Sequence, residues 1–453
     1  MKSINPFNGE VIRNYEEHTD KGVISIVNGV DKAYNIWKLT SFSQRSELMM
    51  NMAALLRNHA GNLGKLISME MGKVWREAKA EVEKCAWVCE YYAQNAESFL
   101  INEPVSTEYS DSYISYRPLG VLLAVMPWNF PFWQVFRCAA PTLMAGNTMV
   151  LKHASNVTGC SVAIEDLFRE AGFPDNAFRS LLVGGSRMES VIAHPAIRAV
   201  TLTGSTPAGK SVASLAGKYL KKNVLELGGS DPYLILEDAD LEQAADICAA
   251  SRLLNAGQSC ISAKRFIIED TVYDSFCQLM RDKMSAVTFG DPYAPETGIG
   301  PLARADLRDE LHGQVLRSAD LGARITLGGT IPAGKGNFYP PTILEDVVPG
   351  MPAYEEELFG PVAAMIRARN EKDAVEIAND TPFGLGAAIF TKNTGKGRML
   401  AEELIEAGCC FVNDMVRSDP RLPFGGISES GYGRELSAFG IREFVNIKTV
   451  VTK

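Results

Sequence analysis

The sequence predicts an α/β protein made of two α/β domains with parallel-rich sheets, accompanied by a small β element. Three observations predict it. A chain of 453 residues is too long for one compact core. From Gly120 onward, short apolar strands alternate with helical segments, and the alternation restarts near Pro232. Two further strand-like segments, 107–116 and 444–451, stand outside both alternations.

The first hundred residues read as helices, with apolar residues at helical spacing over 31–37, 43–59 and 74–99. Segment 107–116 alternates polar and larger residues, which fits an exposed strand. Strands follow at 121–126, 149–152, 181–183, 199–203 and 224–227, with helices at 134–145 and 158–171. Such alternation implies a parallel sheet with right-handed crossovers, whose ligands bind beyond the carboxyl ends of the strands. The loops after Met126, Lys152, Val183, Thr203 and Leu227 are therefore the places to look. The second alternation places strands at 265–268, 323–327, 362–366, 387–390 and 410–412. Segment 444–451 reads as a terminal strand with no hairpin partner nearby, exposed unless another element or chain covers it.

Composition narrows the function classes. Hydrophobic residues make up 46% and charged residues 22%, an ordinary globular balance. The net charge of −9 argues against nucleic acid or an anionic membrane as partner. The apolar run at 121–126 falls far short of the roughly 20 residues of a membrane span. The first residues lack a secretory stretch, and nine scattered cysteines suit a reducing compartment, so a cytoplasmic protein is expected. No metal site is expected.

Three residues suggest chemistry. Cys260 sits in Asn255-Ala-Gly-Gln-Ser-Cys260, where a helix gives way to a tight turn. On position alone it could be a buried small hydrophobe. Glu226, in Glu226-Leu-Gly-Gly229, ends a predicted parallel strand, and an unpaired acid there is costly without a use. Asn129, in Pro127-Trp-Asn-Phe-Pro131, follows another strand of that sheet and can present an amide N–H to an oxyanion.

With these motifs the chain resembles the aldehyde dehydrogenase superfamily over nearly its whole length. The others that carry the resemblance are Thr203-Gly-Ser-Thr206 with Gly209, Glu357-Leu-Phe-Gly-Pro361, Phe411-Val-Asn413 and Pro423-Phe-Gly-Gly426. The resemblance implies an aldehyde dehydrogenase-like fold: 1–106 with 119–228 as cofactor-binding domain, 229–430 as catalytic domain, and 107–118 with 431–453 as oligomerisation element. It implies Cys260 as nucleophile, its backbone N–H and Asn129 as oxyanion donors, and Glu226 as the base that hydrolyses the thioester. It carries an NAD(P)⁺ cofactor onto Met126, Pro127, Trp128, Lys152, Ser155, Gly185, Gly204, Ser205, Leu227, Glu357 and Phe359.

No G-x-G-x-x-G is present, and Gly204 and Ser205 could equally form a plain βα turn or a pyrophosphate-binding helix start. NAD-restricted relatives often carry glutamate where this chain has Ser155. A carboxylate about 4 Å from a 2′-phosphate would repel it by up to ~4 kcal/mol. NADP⁺ is therefore expected to be accepted, with NAD⁺ not excluded.

Within the family the chain is most like the succinate-semialdehyde dehydrogenases. They place an arginine where Arg137 stands, eight residues after Asn129, and a serine where Ser418 stands. Arg137 could anchor a distal carboxylate or only pack in its helix. Trp133 and Phe424 could line a tunnel or fill the core. The chain departs from relatives at Leu254, where a second arginine is common, and at Ser262, where some have a cysteine. Arg417 or Arg421 could compensate. The expected activity is oxidation of a small aldehyde, succinate semialdehyde first, with neutral aliphatic or aromatic aldehydes as the alternative. A non-catalytic role conflicts with the intact Cys260, Glu226 and Asn129. A homodimer or homotetramer is expected.

Overall fold

The computed structural model covers residues 1–453. Its first helix starts at Asp20, earlier than periodicity suggested, because the Thr19 hydroxyl accepts the Gly22 N–H at 3.1 Å. The second helix, Phe42–Met71, starts at a Ser41–Gln44 capping box and continues well past residue 59. Gly61 and Gly64 obscure that continuation in the sequence. A Cβ on Gly64 would lie 3.0 Å from the Lys79 nitrogen, so glycine lets this helix close on the third, Trp75–Phe99.

A six-stranded sheet runs in the order Gly431–Tyr432, Lys222–Glu226, Ile197–Thr203, Val121–Met126, Thr148–His153, Phe178–Ser180. Five strands are parallel; Gly431–Tyr432 is antiparallel to Lys222–Glu226. A seven-stranded sheet runs Arg324–Leu327, Thr342–Glu345, Val362–Ala368, Arg265–Glu269, Pro232–Ile235, Gly386–Phe390, Cys409–Val412. All its pairs are parallel except that of Arg324–Leu327. Each sheet anchors a core of 48 buried residues, and a further 18 cover the other face of the first sheet. Two cores of equal size match the two α/β domains expected.

Three strand expectations are corrected. The strand placed at 181–183 lies at Phe178–Ser180; Leu181 and Val183 are buried in the turn that leaves the sheet, so their apolar character marks burial, not a ladder. The strand placed at 107–116 is Asp111–Pro118. It pairs antiparallel along its full length with Val445–Thr452, the terminal strand that seemed to lack a partner. Residues distant in the chain supply that partner, and sequence proximity could not reveal it. No helix is long and apolar enough to cross a membrane.

Candidate active site

Strand register brings the motif loops to one rim. Thr203 stands beside Glu226, Leu202 beside Val125, and Met126 beside His153. The turn after Met126 is pinned at both ends: the His153 ring nitrogens lie 3.2 Å from the Met126 carbonyl and 2.9 Å from that of Pro131. Glu81 accepts the Phe132 and Trp133 N–H groups at 2.9 and 3.0 Å and is itself paired with buried Lys73. These side chains aim the helix Trp133–Met144 and the buried Asn129 at the loop that carries Cys260.

That loop turns through three left-handed residues, Asn255, Ala256 and Gly257, with φ of 54°, 52° and 73°. A Cβ at Gly257 would sit 2.3 Å from the Gly360 carbonyl, so only glycine fits. The Asn255 amide donates to the carbonyls of Asn129 (2.8 Å) and Gln258 (3.1 Å), and the Asn129 amide donates to Gln258 at 3.1 Å. Buried Lys264 donates to the Cys260 carbonyl at 2.7 Å and lies 3.5 Å from Glu357. The loop is thus cross-linked to both sheets before any ligand arrives.

Half-buried Cys260 joins two spaces. One is a cleft of about 590 Å³ lined by Pro127, Trp128, Asn129, Gly204, Ser205, Leu227, Glu357 and Phe359. The other is a cavity of about 240 Å³ whose wall includes Trp133, Arg137, Ser418 and Phe424. Gln134 also faces both. The four remaining cofactor expectations lie off the cleft. Met126 is buried, Lys152 is half-buried beside Val125, and Ser155 and Gly185 are exposed, each opening a short 3-10 helix after its strand.

The pattern of the Aldehyde dehydrogenase family matches residues 1–450. The chain belongs to the aldehyde dehydrogenase family. A Synechocystis sp. protein described as "Probable succinate-semialdehyde dehydrogenase", NADP(+), is 48% identical over 450 residues, covering 99% of both chains. The Mycobacterium tuberculosis succinate-semialdehyde dehydrogenase, NADP(+), 1 is 46% identical over 453 residues, again covering 99% of both. The crystal structure of succinic semialdehyde dehydrogenase from Streptococcus pyogenes, in complex with NADP⁺, superposes with a TM-score of 0.97 at 38% identity, covering 99% of each chain.

In this aldehyde dehydrogenase the ionisable groups are set by burial and by one guanidinium. Arg137 pairs with Glu435, donates to the Thr203 hydroxyl at 3.3 Å and reaches within 3.9 Å of Glu226. Burial raises Glu226 to about 8, with Arg137 opposing the rise and Glu435 adding to it. Both Glu226 oxygens lack a hydrogen-bond partner, and Glu226 lines neither space. Its carboxyl is held back toward Arg137, although its strand ends at the rim as expected. Burial also pushes the Cys260 thiol up to about 12, against the pull of Arg137 and Lys264. Arg417 lines the cavity but pairs with Asp414 at 2.5 Å; Arg421, paired with Asp419, lies outside it. Asn413 is structural: its amide brackets the backbone of Thr391 with two 2.9 Å bonds.

Sequence reasoning missed Lys264, Asn255, Glu435, Glu81 and the cavity-lining Lys84. Only Asn255 carried a signal, as an asparagine ahead of glycine at a helix end.

Proposed function

We propose that the protein oxidises succinate semialdehyde to succinate with NADP⁺, through a thioester on Cys260. The observation that carries this reading is the cavity beyond Cys260. It sets three cations, Lys84, Arg137 and the Asp414-paired Arg417, among Phe130, Trp133, Ile261, Met415 and Phe424. Cations suit a carboxylate, and the apolar wall suits a short carbon chain. The names of the similar Synechocystis, mycobacterial and streptococcal proteins support the same substrate and cofactor.

The cleft residues fit a dinucleotide. The helix Thr206–Lys218 opens on Gly204 and Ser205 with no side chain capping its first N–H groups, which leaves them for a pyrophosphate. A Cβ on Gly228 would fall 2.4 Å from Glu357, so glycine lets that carboxylate lie in the cleft, where it would meet the nicotinamide ribose. Lys152 has no carboxylate partner and Ser155 is exposed, and these would meet the adenosine ribose and its 2′-phosphate. When bound, NADP⁺ accepts the hydride lost by the carbonyl carbon.

The chain's own residues do the rest. Cys260 Sγ forms the bond to the carbonyl carbon while the carbonyl π pair moves onto oxygen, and the thiol proton, which burial holds on sulfur until then, passes to water in the site. One Asn129 amide hydrogen is held by Gln258; the second is free to donate to the developing alkoxide with the Cys260 N–H. Glu226 takes a proton from the water that cleaves the thioester, so it must first be deprotonated.

An aldehyde panel assayed with NADP⁺ and NAD⁺ tests the reading. Succinate semialdehyde with NADP⁺ is expected to give the highest kcat/KM, at least about tenfold above butyraldehyde. A preference for butyraldehyde would overturn the substrate and favour the neutral-aldehyde alternative. We also propose a homodimer or dimer of dimers. Val445–Thr452 and Cys409–Val412 are edge strands, and Ile447 and Val451 on the former are exposed. A monomer by light scattering would remove this reading.

A further inference from the structure

The three cations of the cavity differ in what already holds them, and Arg417 is paired with Asp414. Arg137 is committed to Glu435, Thr203 and, at longer range, Glu226. Lys84 has no carboxylate partner. Its ammonium donates to the Ser418 hydroxyl at 2.9 Å and lies 4.3 Å from the Trp133 ring centroid. The two acids that attract it are engaged elsewhere. Asp419 is paired with Arg421 at 2.6 Å, and Glu81 with Lys73 and two backbone N–H groups.

An ammonium has three N–H donors, so one hydroxyl leaves two without a protein acceptor on the contacts present. A half-buried cation in that state is relieved by an incoming anion. Ser418 spends a lone pair on Lys84 and keeps its own O–H to donate. Lys84 reaches this place because Glu77, Ala80, Glu81 and Lys84 recur at i, i+3, i+4 and i+7 on one face of Trp75–Phe99, and all four line the cavity. Burial first, then Arg137, lowers the lysine to about 8, so it remains mostly charged at neutral pH.

We propose that Lys84 is the direct partner of the substrate's distal carboxylate, with Ser418 donating beside it, and that Arg137 serves to position Glu226. The inference rests on the substrate reading above. A charge-assisted hydrogen bond corresponds to roughly a tenfold to hundredfold effect on binding.

Steady-state kinetics of Lys84→Met test it. KM for succinate semialdehyde should rise at least about tenfold, while kcat stays within about threefold and butyraldehyde kinetics change much less. Succinate should inhibit the variant correspondingly more weakly than the unmodified enzyme. Lys84→Arg should recover part of the loss. A KM for succinate semialdehyde that moves by less than about threefold overturns the proposal, as does an equal loss on both aldehydes in a variant that still binds NADP⁺. Should Lys84→Met not fold, Ser418→Ala decides in its place: a severalfold rise in KM for the semialdehyde alone supports the proposal, and an unchanged KM overturns it. If the unmodified enzyme prefers butyraldehyde, the substrate reading falls. If it prefers the semialdehyde but the lysine variant is indifferent, Lys84 alone is wrong.

Discussion

On the cleft side of Cys260, much of the wall is turn and main chain at the ends of parallel strands: Pro127 to Asn129, Gly204 with Ser205, and Leu227 with Gly228. On the cavity side, the wall is largely side chains of two helices, Trp75–Phe99 and Trp133–Met144, closed by a loop that carries Ser418 and Phe424. The cleft requires glycine and proline at fixed places, because the backbone must turn there and approach a ligand closely. The cavity requires particular charges, and a helix tolerates many side chains at each of those positions. On the proposed reading, binding common to the family is written in turns and substrate choice in helix faces.

The largest expected effects fall on Cys260, which both regions share, and on Glu226, which lines neither. Cys260→Ala should remove at least about a thousandfold of turnover while NADP⁺ binding, followed by fluorescence, persists. Glu226→Gln should slow turnover by about a hundredfold or more, with acyl-enzyme accumulating in intact-mass spectra after one turnover. Fast hydride transfer with no adduct would remove Glu226 as the base.

A smaller effect isolates the cleft. Ser155→Glu should lower kcat/KM with NADP⁺ by about tenfold and leave NAD⁺ within about threefold, because only the 2′-phosphate meets the new charge. Solvent around this exposed site keeps the effect well below the dry-contact limit. Equal losses with both cofactors would show that Ser155 does not face the ribose.

The smallest effect sharpens the cavity side. In the proposed mechanism Glu226 works deprotonated, and burial raises its pKa to about 8, so the base form grows as pH rises through that value. Single-turnover thioester hydrolysis should climb from pH 6, pass its midpoint near the raised pKa and level off only about one unit or more above it. Arg137 opposes the rise in the Glu226 pKa, so Arg137→Met should move the profile to higher pH. A profile that stays in place would show that Arg137 does not position or bias Glu226.

Some of the site was legible in the chain and some was not, for a common reason. Glu226, Asn129 and Cys260 could be singled out as candidates because each lies at or just beyond the end of a strand or helix in a motif with glycine or proline, and the family resemblance of those motifs supplied their proposed roles. Lys84, Glu81, Glu435 and Lys264 could not, because a lysine or glutamate in a mixed sequence reads as a solvated face.

By itself the sequence determined an α/β chain with two alternations of strand and helix, mostly parallel pairing within them, and the absence of a carboxylate at Ser155, and it singled out Cys260, Glu226 and Asn129 as candidates. Tertiary structure alone decided that Asp111–Pro118 pairs with Val445–Thr452 and that the thiol and Glu226 are pushed toward their protonated forms. It also decided that Arg137 is bound to Glu435 while Lys84 has no carboxylate partner. Periodicity and turn chemistry are local and can be read along the chain. Burial, ion pairing and strand partnership depend on residues hundreds of positions apart, and exist only once the chain has folded.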